Sequence, residues 1–164
     1  MKFAACVTTT ETQTATVGQR LGALSAAGDV VLLSGELGAG KTCFIRGIAS
    51  GLGVSEYAFS PSFVLVREYR GRLTLYHMDF YRLEQLAEIA ELGIDDYLSG
   101  EGVCAIEWAE RAAGLLPEQH LAIELAYVSD EADTRVLRFT AAGARHETLL
   151  QQLVDTTRDS TTWS

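Results

Sequence analysis

The sequence predicts a three-layer α/β fold whose central sheet is mostly parallel and carries added antiparallel strands. Residues 30–33 form a short uninterrupted apolar run, which is typical of a central parallel strand covered on both faces. The signature G-x-x-x-x-G-K-[ST] follows at residues 35–42. Apolar residues then recur at helical spacing as far as Leu52. Strand, loop and helix therefore occur in the order that a phosphate-binding unit requires, and the predicted fold class is P-loop NTPase-like.

The loop itself reads Gly-Glu-Leu-Gly-Ala-Gly-Lys-Thr, and each residue type has a chemical reason to be there. Its glycines let backbone N–H groups turn toward phosphate oxygens. Lys41, one of two lysines in the chain, would reach the outer phosphates, and the hydroxyl of Thr42 would ligate Mg²⁺. We therefore predict nucleoside triphosphate binding. The predicted nucleotide contacts from this segment are Leu37, Gly38, Ala39, Gly40, Lys41, Thr42 and Cys43.

Composition limits the remaining possibilities. The chain has 164 residues, of which 48% are hydrophobic and 21% charged, and this predicts a single domain over residues 1–155 with a disordered polar tail over 156–164. A net charge of −9 disfavours unaided binding of RNA or DNA. Three cysteines without a C-x-x-C pair predict neither a disulfide framework nor a zinc site. No apolar stretch reaches membrane-spanning length, so we expect a cytoplasmic protein without membrane contact.

Upstream of the loop, the sequence predicts a strand over residues 3–7 and then a helix. Thr8, followed three residues later by Glu11, resembles a capping box and would begin that helix. Gly28 would terminate it. The apolar stripe of this helix consists of Val17, Leu21 and Leu24. Gly18 and Gly22 would allow another backbone to approach closely.

Downstream of the loop helix, the runs 63–69 and 73–80 flank an Arg-Gly-Arg tripeptide and predict an antiparallel hairpin. The further predicted elements are short helical stretches over 84–92 and 94–98, a buried strand over 103–106, strands over 121–128 and 135–140, and a helix over 147–154.

Two acidic residues are candidates for chemistry at the loop. Hydrolysis needs an acid that holds magnesium through water and a group that orients the nucleophile. Glu107 directly follows the buried run 103–106, and ligands of α/β sheets lie at the carboxyl ends of parallel strands. Asp79 lies among apolar and aromatic residues, on the same strand face as His77. Asp79 could orient or activate water, or bind metal through water; as a structural group it could instead pair with Arg82 or cap a turn.

Four residues near the predicted site have two interpretations each. The hydroxyl of Ser62 in Ser-Pro-Ser could touch magnesium or the outermost phosphate, or simply form a turn. Trp108 could report on the nucleotide, although packing is the commoner role of such a residue. His77 is more often a core histidine than a catalyst, and Glu107 could be an ordinary glutamate at a strand end.

Five sequence blocks occur together along the chain. The blocks are G-E-L-G-A-G-K-T at 35–42, S-P-S-F at 60–63, H-M-D-F-Y-R at 77–82, E-L-G-I-D-D-Y at 91–97 and E-W at 107–108. Taken together, they resemble the bacterial TsaE (YjeE) family. The resemblance implies a small P-loop ATPase, with ATP and Mg²⁺ as its ligands, that works with the TsaB and TsaD proteins in making the threonylcarbamoyl modification on adenosine beside the tRNA anticodon. ATP hydrolysis would support the multi-protein machine, and tRNA would be reached only through the partners.

The resemblance also assigns roles to particular residues. It implies that Lys41 is the phosphate lysine, that Thr42 and Glu107 are magnesium ligands, and that Asp79 is the acid required for hydrolysis. Ser62 stands where the family usually has threonine, so the hydroxyl is retained. Thr10 and Arg135 would flank the adenine and the sugar.

Three other functions use the same loop. A small-molecule kinase would need phosphate clamps, for which Arg67, Arg70, Arg72 and Arg82 are the candidates, but no convincing lid or acceptor site accompanies them. A GTPase would need an N-K-x-D motif, and neither lysine lies in one. A switch protein that binds ATP without hydrolysing it would share every residue named above.

Overall fold

The computed structural model describes residues 1–56 and 65–164, and in this part of the chain helices cover both faces of one eight-stranded sheet. None of the described helices is long and apolar enough to cross a membrane. The elements are β1 (Lys2–Thr8), α1 (Glu11–Leu24), β2 (Val30–Ser34), α2 (Lys41–Gly51), β3 (Val66–Arg70), β4 (Thr74–Asp79), α3 (Leu86–Glu91), α4 (Ile94–Leu98), β5 (Val103–Glu107), a 3-10 turn (Ala109–Ala112), β6 (His120–Val128), β7 (Glu131–Ala142), α5 (Ala144–Thr157) and β8 (Thr162–Trp163).

The sheet is mixed, with the strand order β3-β4-β5-β2-β6-β7-β1-β8. The four central strands β4, β5, β2 and β6 run parallel to one another, and the outer strands pair antiparallel. This confirms the predicted fold class. The hairpin of β3 and β4 is antiparallel as predicted, although its first two predicted residues, 63 and 64, lie outside the described part of the chain.

Two separate cores lie on opposite faces of the sheet and produce the three layers. Helices α1, α2 and α5 cover one face, where Leu33 packs with Phe44. Helices α3 and α4 and the 3-10 turn cover the other face, where Leu32 packs with Ile89. Consecutive residues of β2 thus point into different cores, which explains why this strand is apolar without alternation.

Helices α1 and α2 meet through glycine on both sides. A Cβ atom at Gly18 or Gly22 would overlap the carbonyl oxygen of Phe44 or Ile48, respectively. The relation is reciprocal, because Cβ atoms on two glycines of α2 would overlap α1 carbonyls. The predicted close backbone approach at Gly18 and Gly22 is therefore confirmed, and α2 is its partner.

Gly22→Ala is expected to lower the free energy of unfolding by about 2–3 kcal/mol, because the added methyl group must push two packed helices apart. Chemical denaturation of both proteins measures the difference. Gly114→Ala is the matched control, since a Cβ atom there would meet its nearest neighbour, Leu86, at an ordinary 3.8 Å. A Gly22→Ala midpoint equal to that of the control would show that the helices can separate at little cost.

The predicted start of α1 was wrong by two residues. β1 continues through Thr8, whose backbone pairs with Arg135 of β7, so Thr8 cannot also cap the helix. Thr10 is the N-cap, and its side-chain oxygen accepts from the backbone N–H of Gln13 at 3.1 Å. The helix ends at Leu24, before the predicted terminator Gly28.

The expectation of a disordered tail from residue 156 was also wrong. α5 extends to Thr157, and β8 then pairs with β1. Trp163 explains this order, because its ring lies 5.2 Å from that of Phe139 and its indole N–H donates to the Thr157 hydroxyl at 2.9 Å. Burial of one aromatic ring offsets the entropy of ordering a short polar segment.

Candidate functional site

The loop between β2 and α2 turns its backbone inward by adopting left-handed conformations. Gly38 and Gly40 have φ angles of +80° and +106°, which residues with a side chain rarely adopt. Gly40 is also the N-cap of α2, and no side chain caps the helix there. The unpaired N–H groups of the first turn and the positive end of the helix dipole are therefore available to an anion.

This loop forms one wall of a cavity of about 350 Å³ at the carboxyl ends of the parallel strands. The position agrees with the rule that α/β sheets bind ligands at this edge. It also brings most of the predicted site residues together, from the loop and from two strand ends. The cavity is lined by Leu37, Gly38, Gly40, Lys41, Thr42, Cys43, Asp79, Tyr81, Glu107 and Trp108.

The side chain of Lys41 lines the cavity, and only 4% of the residue's surface is exposed. Its ammonium group donates to the carbonyl oxygens of Gly35 and Glu36 at 2.7 and 2.9 Å. The same group lies 4.3 Å from the centre of the Trp108 ring. The lysine is thus held over the loop by two hydrogen bonds and a cation–π contact.

Burial and neighbouring carboxylates act on the ammonium group of Lys41 in opposite directions. Burial lowers the pKa of its ammonium group, while the carboxylates of Glu107, Glu110 and Asp79 oppose that shift. A phosphate beside the ammonium group would raise the pKa of Lys41, as these carboxylates do, since a nearby negative charge favours the protonated form.

Thr42, Glu107 and His77 form a chain of hydrogen bonds on the α2 side of the sheet. The Thr42 hydroxyl donates to Oε1 of Glu107 at 2.8 Å. The other carboxylate oxygen, Oε2, lies 2.7 Å from Nε2 of His77. Glu107 and His77 are 3% and 0% exposed, so this is a buried polar network and not a surface contact. Thr42 and Glu107, both predicted as magnesium ligands, are thus in direct contact with each other.

Asp79 ends β4 directly beside Glu107, which ends β5. The carboxylate is 4% exposed and lines the cavity, and its Oδ1 accepts from the backbone N–H of Tyr81 at 2.9 Å. Of the alternatives predicted for Asp79, the turn cap is therefore observed, and the carboxylate also lines the cavity. The cap holds the carboxylate in a defined orientation.

Trp108 both packs and lines the cavity. Its backbone is left-handed, with a φ of +57°, which turns the ring over the loop immediately after β5. The ring lies 4.9 Å from that of Tyr81, and the guanidinium of Arg111 lies 5.7 Å from its centre. Sequence reasoning missed Tyr81 and Arg111, because their convergence depends on this unusual backbone conformation.

Arg135 lies on the opposite side of the loop. Its Nε donates to the Ala39 carbonyl at 3.0 Å, and its guanidinium stacks 4.3 Å from the Tyr127 ring centre. Arg135 lines a second, smaller recess beside the loop, together with Glu11. The side chain of Thr10 is used as the α1 cap. Ser62 lies outside the described residues, so its predicted contact is not placed.

The four arginines that would serve a kinase are not among the described residues that line this cavity. Those arginines are Arg67, Arg70, Arg72 and Arg82. Arg72 instead donates to the carbonyl oxygens of Gly22 and Ser25 at 3.0 and 2.9 Å, which caps the end of α1.

The donor set fits magnesium that arrives with a phosphate better than a metal bound by protein alone. Within residues 1–56 and 65–164, no three His, Cys, Asp or Glu side chains are grouped so that they could hold an ion. Mg²⁺ prefers oxygen ligands, keeps several waters and commonly takes only one or two protein ligands plus phosphates. Thr42 and Glu107 supply the required hydroxyl and carboxylate.

Comparisons with known proteins give one consistent result. The family model described as "Threonylcarbamoyl adenosine biosynthesis protein TsaE" matches residues 8–137. The chain is 48% identical over 125 residues to the tRNA threonylcarbamoyladenosine biosynthesis protein TsaE of Treponema pallidum, covering 76% of this chain and 93% of that one. It is 43% identical over 142 residues to the Bacillus subtilis protein of that name, covering 86% and 87%. The crystal structure of Bacillus subtilis YdiB superposes with a TM-score of 0.83 at 38% identity, covering 94% and 96%.

Proposed function

Because the chain belongs to the TsaE family of threonylcarbamoyl adenosine biosynthesis proteins, we propose that it is the Mg²⁺-dependent ATPase of tRNA N6-threonylcarbamoyladenosine modification. The observation that carries the ATPase part is the cavity in which the phosphate loop and buried Lys41 face the carboxylates of Asp79 and Glu107. The names of the relatives support the assignment to tRNA threonylcarbamoyladenosine biosynthesis.

In this proposal the loop and Lys41 bind the triphosphate. The N–H groups of the α2 terminus and the ammonium group supply positive charge to the outer phosphates, in a cavity where little water screens it. Thr42 and Glu107 would hold Mg²⁺. When bound, the metal would neutralise negative charge that develops on the transferred phosphoryl group.

Asp79 is proposed to orient the attacking water. Its carboxylate faces the cavity beside Glu107, and the hydrogen bond from Tyr81 N–H at 2.9 Å limits its rotation. A fixed carboxylate can accept a hydrogen bond from water and align it for in-line attack, so the gain comes mainly from positioning.

TsaB and TsaD are the proposed partners, and tRNA is reached only through them. A net charge of −9 gives this protein little capacity to neutralise tRNA phosphates by itself. The direct test is ATPase turnover of the purified protein with and without TsaB and TsaD. We expect slow turnover alone and stimulation by the partners. Absence of turnover in every mixture, with nucleotide binding intact, would identify a non-hydrolysing switch; efficient phosphorylation of a small metabolite would identify a kinase.

Saturating Mg-ATP is expected to stabilise the folded protein by about 2.7 kcal/mol at a concentration one hundred times the dissociation constant, if only the folded state binds. Thermal unfolding with and without the nucleotide measures the effect. AMP at the same concentration is the control, because it lacks the outer phosphates that Lys41 would contact. An equal shift with AMP, or no shift with ATP, would contradict the assignment of the loop.

A further inference from the structure

His77 is a wholly buried histidine that the proposed reaction leaves without a role. It lies on β4, two residues before Asp79, and its ring points to the side of the sheet that α2 covers. Its Nε2 atom is 2.7 Å from Oε2 of Glu107. The sequence favoured a core histidine, and the burial agrees with that interpretation, but the contact is with a polar residue of the candidate site.

The hydrogen bonds define which atom of each group is used. An ionised carboxylate can only accept, so Nε2 of His77 carries the hydrogen and donates it to Glu107. Nδ1 has no hydrogen-bond partner among the described residues. Nε2 is therefore the ring atom through which His77 holds Glu107.

Both oxygens of Glu107 are then occupied by different partners. Oε2 accepts from His77 at 2.7 Å, and Oε1 accepts from the Thr42 hydroxyl at 2.8 Å. A glutamate side chain has several rotatable bonds, and each fixed rotamer costs entropy. His77 lies on the central strand β4, so the position of its ring is fixed. The ring therefore holds Oε2 of Glu107 in place while Oε1 faces Thr42.

We propose that His77 is a positioning residue, which holds Oε2 of Glu107 so that Oε1 stays directed at Thr42, where magnesium would be bound with the nucleotide. This inference rests on the proposed function. Outer groups that orient a metal ligand commonly change metal affinity by about 10–100-fold when they are replaced. Loss of the Nε2–H donor should therefore weaken the magnesium-dependent part of nucleotide binding and leave the metal-free part unchanged.

The experiment compares His77→Gln with His77→Asn. The glutamine amide can place an N–H near the position of Nε2, whereas the shorter asparagine amide can reach only the position of Nδ1. Both variants bury one amide, so they are matched in polarity. A non-hydrolysable ATP analogue is titrated into each protein with and without Mg²⁺, and the intrinsic tryptophan fluorescence reports binding, because Trp108 lines the cavity.

We expect the affinity gained on adding Mg²⁺ to fall about tenfold or more in His77→Asn and to stay within about threefold of wild type in His77→Gln. The proposal would be overturned if adding Mg²⁺ raised the affinity by the same factor in both variants. It would also be overturned if His77→Asn lost affinity without Mg²⁺ by the same factor by which it lost the increase due to Mg²⁺. If wild type itself bound no analogue, the proposed function would fail. If wild type bound it with Mg²⁺ dependence and the variants did not differ, only the role of His77 would fail. If His77→Asn does not fold, His77→Leu replaces it in the comparison. The proposal then requires that His77→Gln keep the increase in affinity on adding Mg²⁺ and that His77→Leu lose it.

Discussion

Lys41→Ala is expected to abolish ATP hydrolysis, lowering kcat/KM by about 10²–10³-fold or more. The ammonium group is the one lysine charge in the cavity, and it is buried to 4% exposure among backbone dipoles. In such an environment a positive charge acts strongly on the phosphates, because little water screens the interaction. Alanine removes the charge, the cation–π contact with Trp108 and the two hydrogen bonds to the carbonyl oxygens of Gly35 and Glu36.

The measurement is steady-state ATP turnover, with and without TsaB and TsaD. Lys2→Ala is the matched control, since Lys2 is the second lysine of the chain and lies on β1, away from the cavity. We expect this control to turn over like wild type. Circular dichroism should show both variants folded. Undiminished hydrolysis by folded Lys41→Ala would refute the phosphate-binding role of the loop.

Asp79→Asn is expected to bind ATP with nearly unchanged affinity and to lose turnover by about 10²–10⁴-fold. The carboxylate would no longer accept the hydrogen bond that orients water, whereas the phosphate loop would remain intact. Asparagine retains a carbonyl oxygen that can accept from Tyr81 N–H, which Asp79 does now at 2.9 Å. The substitution therefore separates the chemical role of Asp79 from its role as a turn cap.

Asp79→Ala completes the comparison, because it removes both roles. We expect it to lose turnover as Asp79→Asn does and, in addition, to lose about 1 kcal/mol of stability with the missing hydrogen bond. Turnover and unfolding are measured on both variants. If Asp79→Asn hydrolysed ATP normally while Asp79→Ala unfolded or lost ATP, the aspartate would be a structural group.

The sequence alone was sufficient to predict those site residues that lie close together along the chain. The apolar run of β2, the glycines and Lys41 lie within a dozen residues, so local pattern was sufficient. Glu107 and Asp79 could be placed because both end strands, and ends of parallel strands meet at one edge.

The remainder depends on contacts between distant residues or on unusual backbone angles. The bond from His77 to Glu107 joins residues 30 positions apart, and alternation alone indicated only that His77 shares a face with Asp79. Trp108 lies over Lys41 because of a left-handed φ that its residue type does not suggest. The start of α1 was misplaced because strand pairing with β7 extended β1 through Thr8, and tertiary pairing overrode a local capping pattern.

The glycine contacts between α1 and α2 limit how the phosphate site can move. With backbone against backbone at four positions, neither helix can slide past the other without a collision of main-chain atoms. The two helices therefore behave as one rigid unit, and residues 35–40 are a segment beside the site whose left-handed glycines permit rotation. In hydrogen-exchange experiments, the amides of α2 beyond its first turn should stay protected whether nucleotide is bound or not, whereas the amides of the loop and of the first turn of α2 should gain protection when nucleotide binds.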